Sequence, residues 1–150
     1  MNTMSFDRLN FADKLLHATP DGVVYADAAG RIRFWNQGAE RIFGFTETEA
    51  LGQSLDIIVP EGLRARHWEG YEKTMRTGQT RYGGAELLAV PAIRKDGSRI
   101  SVEFTIVPFH DERGAMIGIA ATLRDVTARF EEIRALRRRV ADLAESEPPR

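Results

Sequence analysis

Residues 61–78 read EGLRARHWEGYEKTMRTG and predict one helix around which the rest of the chain is organised. At 3.6 residues per turn, one side of this helix gathers apolar, small and potentially ligating residues: Leu63, Arg66, His67, Gly70 and Thr74, with Tyr71 on its edge. Gly70 leaves a gap beside His67, and it costs about 1 kcal/mol of helix stability relative to alanine. A glycine on an inward helix face makes room for a neighbouring element or for a ligand.

Length and composition indicate one globular domain. The chain has 150 residues, of which 43% are hydrophobic and 29% are charged, so it is long enough to bury a core. A net charge of -1 gives no electrostatic reason to expect nucleic acid or an anionic membrane as a partner. The sequence has no apolar run that would span a bilayer and no apolar signal-peptide core at its start. We therefore expect a cytoplasmic protein.

The chain contains no cysteine, and this narrows its chemistry. Disulfides, zinc–thiolate sites, covalently attached c-type haem and photochemistry through a flavin–cysteine adduct are all excluded. A non-covalent haem and a non-covalent flavin both remain open.

An N-terminal helix and a hairpin are predicted first. The helix runs from Ser5, its predicted cap, to about His17, and residues 1–18 form an N-terminal flanking segment. Short strands at 23–25 and 31–35 follow and make the hairpin.

Two short helices come next, each with a start signal. Asn36 is a suitable N-cap for a helix over 37–43, and Gly44 stands where such a helix ends. Thr46, with Glu49 three residues later, forms a capping box for one further turn.

After residue 78 the hydrophobic pattern changes to a period of two. Three strands are predicted, at roughly 80–93, 99–110 and 116–125, with polar turns between them. Pro91 within the first of these strands indicates an edge position or a bulge, because proline cannot donate to a sheet ladder. The globular domain is predicted to span residues 19–125.

Residues 126–150 predict an exit helix and a polar tail. Apolar residues recur in two heptad series, one β-branched and one of leucine: Val126, Ile133 and Val140, then Leu136 and Leu143. This combination favours a parallel two-stranded coiled coil, although Arg129 interrupts the leucine series. The helix is too short to be stable alone. Its basic run at 134–139 has acidic neighbours and is read as a solvated face.

The order of elements predicts an α+β fold with two early and three late strands in one sheet. That order and the motifs ATPDGVVYADAAGRIRFWNQGAERIFGFTETEALG, RKDGSRISVEFTI and GIAATLRDVT resemble a PAS domain, over about residues 15–127. The resemblance implies a five-stranded antiparallel sheet with short helices on one face, an N-terminal flanking helix and a coiled-coil-like C-terminal signalling helix. It also implies ligand sensing, or pairing with a second copy through the terminal helices, with relay to an effector domain, a kinase or a regulator.

The central helix has a narrower resemblance. VPEGLRARHWEGY is similar to the corresponding helix of haem-binding PAS sensors, namely the oxygen-sensor histidine kinases of nitrogen fixation and haem-regulated cyclic-di-nucleotide phosphodiesterases. The resemblance places the iron ligand on His67, with Leu63, Gly70 and Tyr71 beside haem b. Arg64 and Arg66 are candidates to meet the haem propionates.

The residues expected on the distal side of the implied haem pocket differ from those of the haem-binding sensors. Their distal arginine falls here on Leu87 or Leu88, and the distal methionine of one of them falls on Ala85. Gly84 would allow a planar ring to approach the sheet, and Ile106 and Ile119 are candidate walls. We therefore expect a five-coordinate ferrous iron that favours carbon monoxide or nitric oxide over oxygen, or else a weak oxygen sensor.

Three functions follow from these observations. The first is a haem-b sensor of a diatomic gas or of redox state that signals as a homodimer. The second is a PAS interaction module that is cofactor-free or binds a small organic ligand, and the third is a flavin-binding redox PAS domain. No phosphate-binding loop, dinucleotide motif or catalytic triad is evident, so we do not expect an enzyme.

Overall fold

The computed structural model of the protein describes residues 5–79 and 88–146. Its centre is a five-stranded antiparallel sheet with the strand order β2-β1-β5-β4-β3. The strands are β1 (Gly22–Asp27), β2 (Ile32–Trp35), β3 (Leu88–Ile93), β4 (Arg99–His110) and β5 (Met116–Asp125). The early hairpin and the late strands therefore join in one sheet, as predicted from the order of elements.

The helices lie before, between and after these strands. They are α1 (Arg8–Ala18), α2 (Gln37–Phe43), α3 (Glu47–Ala50), α4 (Arg64–Thr77) and α5 (Thr127–Glu145). Two 3-10 turns, Leu55–Ile58 and Glu61–Leu63, precede α4. The core lies between the sheet and the short helices, and Trp35, Phe43 and Ile32 are its largest fully buried apolar side chains.

Asn36 organises the junction between α1, β1 and α2. Its Oδ1 accepts from the backbone N–H groups of Val23 at 2.8 Å and Ala39 at 2.9 Å. Its Nδ2 donates to the carbonyls of Leu16 at 2.7 Å and Asp21 at 3.0 Å. The predicted N-cap is confirmed, and the same amide also ties α1 to the domain.

The other predicted signals in this region are also confirmed. Gly44 ends α2 in the left-handed conformation, with φ of 84°. The capping box of Thr46 and Glu49 is formed at the start of α3. Pro91 lies in β3, which is an edge strand of the sheet.

Two predicted helix starts were wrong. Asp7, not Ser5, caps α1, because its carboxylate accepts from the N–H groups of Leu9 and Asn10. The central helix does not begin as an α-helix at residue 61. Leu63 N–H bonds to the Pro60 carbonyl at 2.9 Å, and this short pairing keeps 61–63 in a 3-10 turn.

The late strands match their predicted ranges at 99–110 and 116–125. The strand predicted over 80–93 is observed from Leu88, and its first part lies outside the described residues. Within the described ranges, no helix is long and apolar enough to cross a membrane.

The terminal helices carry most of the exposed apolar surface. Phe6, just before the cap of α1, is exposed together with Leu9 and Leu15 of that helix, and neither α1 nor α5 contains a buried residue. The coiled coil predicted for α5 stays a prediction.

Candidate ligand site

A cavity of about 580 Å³ separates α4 from the inner face of the sheet. Its helical wall comes from α4 and the preceding turns, and its opposite wall from the core-facing side chains of β1, β3, β4 and β5. The volume falls in the range of roughly 300–1,000 Å³ that is usual for small-molecule sites. The lining is mainly aliphatic, with a few polar groups on the α4 side.

Most of the site residues predicted from sequence line this cavity. On the helical side they are Leu63, Arg66, His67, Gly70 and Tyr71, and on the sheet side they are Ile106 and Ile119. Arg64 is not among the lining residues. Gly84 and Leu87 lie outside the described residues, as does the side chain of Leu88. The role of each as a cofactor contact stays a prediction.

His67 is the polar group best placed for coordination chemistry. Its Nδ1 is buried and has no hydrogen-bond partner within the described residues. Burial lowers the pKa of His67 below 6.5, and the nearby Asp56 opposes this shift only in part. The imidazole is therefore neutral at pH 7, which is the form that binds metals.

Gly70 opens the space beside His67. A Cβ added to Gly70 would meet no described atom within 4 Å, so no packed element fills the gap that the sequence predicts there. The loss of helix stability at Gly70 therefore accompanies open space at the cavity, and not the close packing of another element.

Tyr71 is buried and fixes α4 to the sheet. Its hydroxyl donates to the Asp27 carbonyl at 2.5 Å and lies 3.4 Å from the Ala26 carbonyl. Burial raises the pKa of Tyr71 well above its usual value, so the phenol keeps its proton. Its ring centroid lies 5.8 Å from that of His67.

Trp68 forms a second attachment that sequence analysis did not find. Its indole N–H donates to Asp56 Oδ1 at 2.7 Å. Its six-membered ring covers Gly30, which has φ of 77° and where an added Cβ would overlap the ring. Gly30 lies between the two predicted strands of the hairpin, and the sequence there gives no indication that an aromatic side chain covers it.

Arg64 forms hydrogen bonds to the backbone that precedes α4. Its Nε donates to the Val59 carbonyl at 3.1 Å, and its Nη2 donates to the Asp56 carbonyl at 3.2 Å. These bonds hold the guanidinium against the 3-10 turn that precedes α4. Arg66, in contrast, lines the cavity and is exposed.

In the part of the chain that the structure describes, protein side chains alone do not form a site for a bare metal ion. Across residues 5–79 and 88–146, no group of three or more histidine, cysteine, aspartate or glutamate side chains lies close enough to share an ion. A metal at His67 would therefore need most of its ligands from a non-protein group.

Residues 16–131 match the family described as the PAS fold, which covers most of the chain. The chain belongs to the PAS family, as the resemblance of its motifs implied.

Two relatives of the chain are named as sensor proteins. The sequence is 34% identical over 92 residues to the sensor protein FixL of Bradyrhizobium diazoefficiens, covering 61% of this chain and 18% of FixL. It is 28% identical over 85 residues to the oxygen sensor protein DosP of Escherichia coli, covering 57% of this chain and 10% of DosP. The chain thus spans less than a fifth of the length of either relative.

Solved structures show the same fold. A PAS domain from Colwellia psychrerythraea superposes with a TM-score of 0.70 at 24% identity, covering 81% of this chain and 99% of that one. An RNA-binding light-oxygen-voltage receptor superposes with a TM-score of 0.74 at 18% identity, covering 94% of this chain and 40% of the receptor chain. At these identities the likeness concerns the fold alone.

Proposed function

We propose that this PAS domain is a sensor that binds haem b through His67 and responds to a diatomic gas or to redox state. The observation that carries the proposal is the buried Nδ1 of a neutral histidine, on the wall of an apolar cavity, which has no hydrogen-bond partner among the described residues. An imidazole nitrogen in such a place, with no partner in the part of the chain that the structure describes, is available to an axial ligand bond.

The cavity suits a large, flat, mostly apolar group. Aliphatic walls on the sheet side would shield such a group from water, and the open space at Gly70 leaves room beside the imidazole. Haem supplies four nitrogen ligands of its own, so one protein histidine is enough to hold the iron. When bound, the haem would supply an iron centre that takes up a diatomic gas or changes its oxidation state.

Arg66 is the better of the two predicted propionate partners. It is exposed while also lining the cavity, so its guanidinium can meet carboxylates at the mouth. Arg64 already donates to two backbone carbonyls, so a propionate would have to displace those bonds.

The sheet wall bears on ligand preference. Among the described lining residues of the strands, all side chains are apolar, including Ile106, Ile119 and Ala121. A charge-assisted hydrogen bond to bound oxygen is worth about 1.5–3 kcal/mol, and these side chains cannot supply it. Carbon monoxide and nitric oxide depend less on such a donor, so we expect them to be favoured over oxygen.

Similarity to two sensors supports a signalling role, and one of them is named as an oxygen sensor. In this proposal the domain binds and relays, and any chemistry of the output belongs to an effector domain, a kinase or a regulator. The relay would pass through α5 of a homodimer, because α5 follows directly from β5, whose residues line the cavity.

A second candidate is a PAS interaction module that is cofactor-free or binds a small organic ligand. The same aliphatic cavity favours it, since such a lining accepts organic ligands without a metal. A flavin-binding redox domain is a third, less favoured candidate, and yellow colour with flavin absorption bands would identify it.

Hemin titration of the full chain, followed by absorption, tests the proposal. The wild type is expected to develop a one-to-one Soret band that shifts when reduced protein is exposed to carbon monoxide. His67→Ala should lose that band, while His17→Ala and His110→Ala should keep it, and circular dichroism checks that each variant is folded. Full hemin binding by His67→Ala would refute the ligand assignment, and a wild type that takes up no hemin would favour the interaction module.

A further inference from the structure

The imidazole of His67 packs against the indole ring of the next residue, Trp68. The two ring centroids lie 4.9 Å apart, and the ring planes make an angle of 77°. Side chains that are adjacent in the sequence of an α-helix do not normally face each other, so this contact needs a cause. His67 lines the cavity and Trp68 does not, so the contact leaves the cavity open to a ligand of the imidazole.

The indole of Trp68 is held at both of its ends. At one end its N–H donates to Asp56 Oδ1 at 2.7 Å. At the other end its six-membered ring covers Gly30 so closely that a Cβ added there would overlap the ring. Tryptophan suits this place because it combines an N–H donor with a large apolar ring. The ring cannot change its rotamer without losing one of these contacts, so it presents a fixed surface to the imidazole.

The acceptor of the indole hydrogen bond is itself held in place. Asp56 lies in the 3-10 turn Leu55–Ile58, and its N–H donates to Ser54 Oγ at 3.1 Å. Arg64 Nη2 donates to the Asp56 carbonyl, and Arg64 Nε lies 4.0 Å from Asp56 Oδ1. The position of the indole is therefore set by the fold and does not depend on a bound ligand.

We propose that Trp68 is a positioning residue that holds the imidazole of His67 in one orientation toward the cavity. This inference rests on the haem sensor proposed above, and it adds a residue that is outside the cavity lining. A side chain that is ordered in advance loses little rotational freedom when it binds, and this strengthens binding. Without its anchor the indole is free to turn, and the imidazole beside it is no longer confined to one rotamer.

Two substitutions of Asp56 separate this role from a direct effect of charge. The carboxylate of Asp56 also raises the pKa of His67 through its charge, although burial has the larger effect. Asp56→Asn removes the charge and keeps an acceptor oxygen, which Arg64 Nε attracts toward the place of Oδ1. Asp56→Ala removes both the charge and the acceptor. The Asp56 side chain is 38% exposed, so its truncation leaves the core intact.

NMR of the hemin-free full chain gives the first readout. Nuclear Overhauser effects between the ring C–H protons of His67 and the indole of Trp68 should appear in the wild type and in Asp56→Asn. They should be lost in Asp56→Ala, with circular dichroism as the check that this variant is folded. Full retention of these effects in Asp56→Ala would overturn the inference, because the two rings would then be ordered without the anchor.

Hemin titration and resonance Raman spectroscopy of the reduced protein give the second readout. Trp68→Leu and Asp56→Ala should each raise the hemin dissociation constant by roughly 3–10-fold, which corresponds to ordering one side chain on binding. Both should also broaden or shift the iron–histidine stretching band, which a loss of stability alone would not do. Asp56→Asn should keep the band and the affinity of the wild type.

The remaining outcomes separate this inference from the function on which it rests. A wild-type band in Asp56→Ala would overturn the inference alone. An Asp56→Asn variant that behaves like Asp56→Ala would also overturn it, because the charge of Asp56 would then be responsible. A wild type that takes up no hemin would overturn the proposed function, and the NMR comparison would still decide whether Trp68 orders His67.

Discussion

The phenol of Tyr71 donates a hydrogen bond of 2.5 Å to the backbone carbonyl of Asp27. This bond joins α4, which carries His67, to the end of β1. Asp27 pairs in the sheet with Gly118 of β5, and β5 leads into α5. The contact therefore lies between the proposed ligand site and the exit helix.

Replacing Tyr71 with phenylalanine should lower the free energy of unfolding by about 1–2 kcal/mol, because a buried hydrogen bond is lost while the ring is kept. Chemical denaturation measures the change. Thr74→Val is the control, since the one partner of the Thr74 hydroxyl among the described residues is the Gly70 carbonyl of its own helix. An effect of Tyr71→Phe no larger than that of Thr74→Val would show that the Asp27 contact does not hold α4.

Gly30 allows Trp68 to pack over the β1–β2 turn. Gly30→Ala should destabilise the protein by well over the roughly 1 kcal/mol expected for a left-handed glycine alone, because the new methyl group meets the indole ring. Gly97→Ala is the matched control, since Gly97 has φ of 84° and open space around its Cβ position.

Denaturation followed by tryptophan fluorescence measures both glycine variants. Equal destabilisation by the two substitutions would mean that Trp68 moves aside without cost. In that case the bond between Trp68 and Asp56 would not be important for the position of α4.

The pH dependence of stability should contain a contribution from His67 in the ligand-free protein. Burial lowers the pKa of folded His67 below the ordinary 6.5, so the unfolded chain binds more protons between those two pKa values. The free energy of unfolding therefore falls as pH drops below about 6.5.

Denaturation at pH 7, 6 and 5 compares the wild type with His67→Gln. The wild type should lose more stability over this range, because the glutamine variant lacks the titrating group while His17 and His110 remain in both. The pKa values of Asp21 and Asp27 are lowered, so these carboxyl groups titrate below the pH range compared. Both are present in the wild type and in the variant, so they do not affect the difference between the two profiles. Parallel pH profiles would contradict a buried, neutral His67.

The start of α5 is attached to the sheet at Ser101. Ser101 N–H donates to Thr127 Oγ1 at 3.0 Å, and Val126 N–H donates to the Ser101 carbonyl at 2.9 Å. Thr127→Val should cost about 1 kcal/mol and speed amide exchange in the first turn of α5, whereas Thr127→Ser should keep wild-type exchange. Unchanged exchange in the valine variant would show that this junction does not restrain the exit helix.

Local signals explain why much of the fold was predictable. The Asn36 cap, the capping box at Thr46 and the strands at 99–110 and 116–125 depend on residues close together in sequence. The alternation of Ile100, Val102 and Phe104 fixes one face of β4 toward the core. Such patterns carry their own structural information without reference to the rest of the chain.

Contacts between segments that are distant in the sequence were harder to predict. The helix pattern placed His67 and Gly70 on one face, but the partner of Trp68, Asp56, lies twelve residues away in a 3-10 turn. Arg64 and Arg66 are indistinguishable as candidate propionate partners in the sequence. The structure distinguishes them because the turn before α4 presents the carbonyls of Asp56 and Val59 to Arg64, and both accept hydrogen bonds from its guanidinium.

Rescue by free imidazole tests the central claim most directly. His67→Gly should bind hemin without the Soret spectrum of the wild type, and adding imidazole should restore that spectrum, because the small ligand occupies the space left by the side chain. The same imidazole added to His17→Gly should change little. A His67→Gly spectrum that matches the wild type before imidazole is added would contradict the assignment of His67 as the haem ligand.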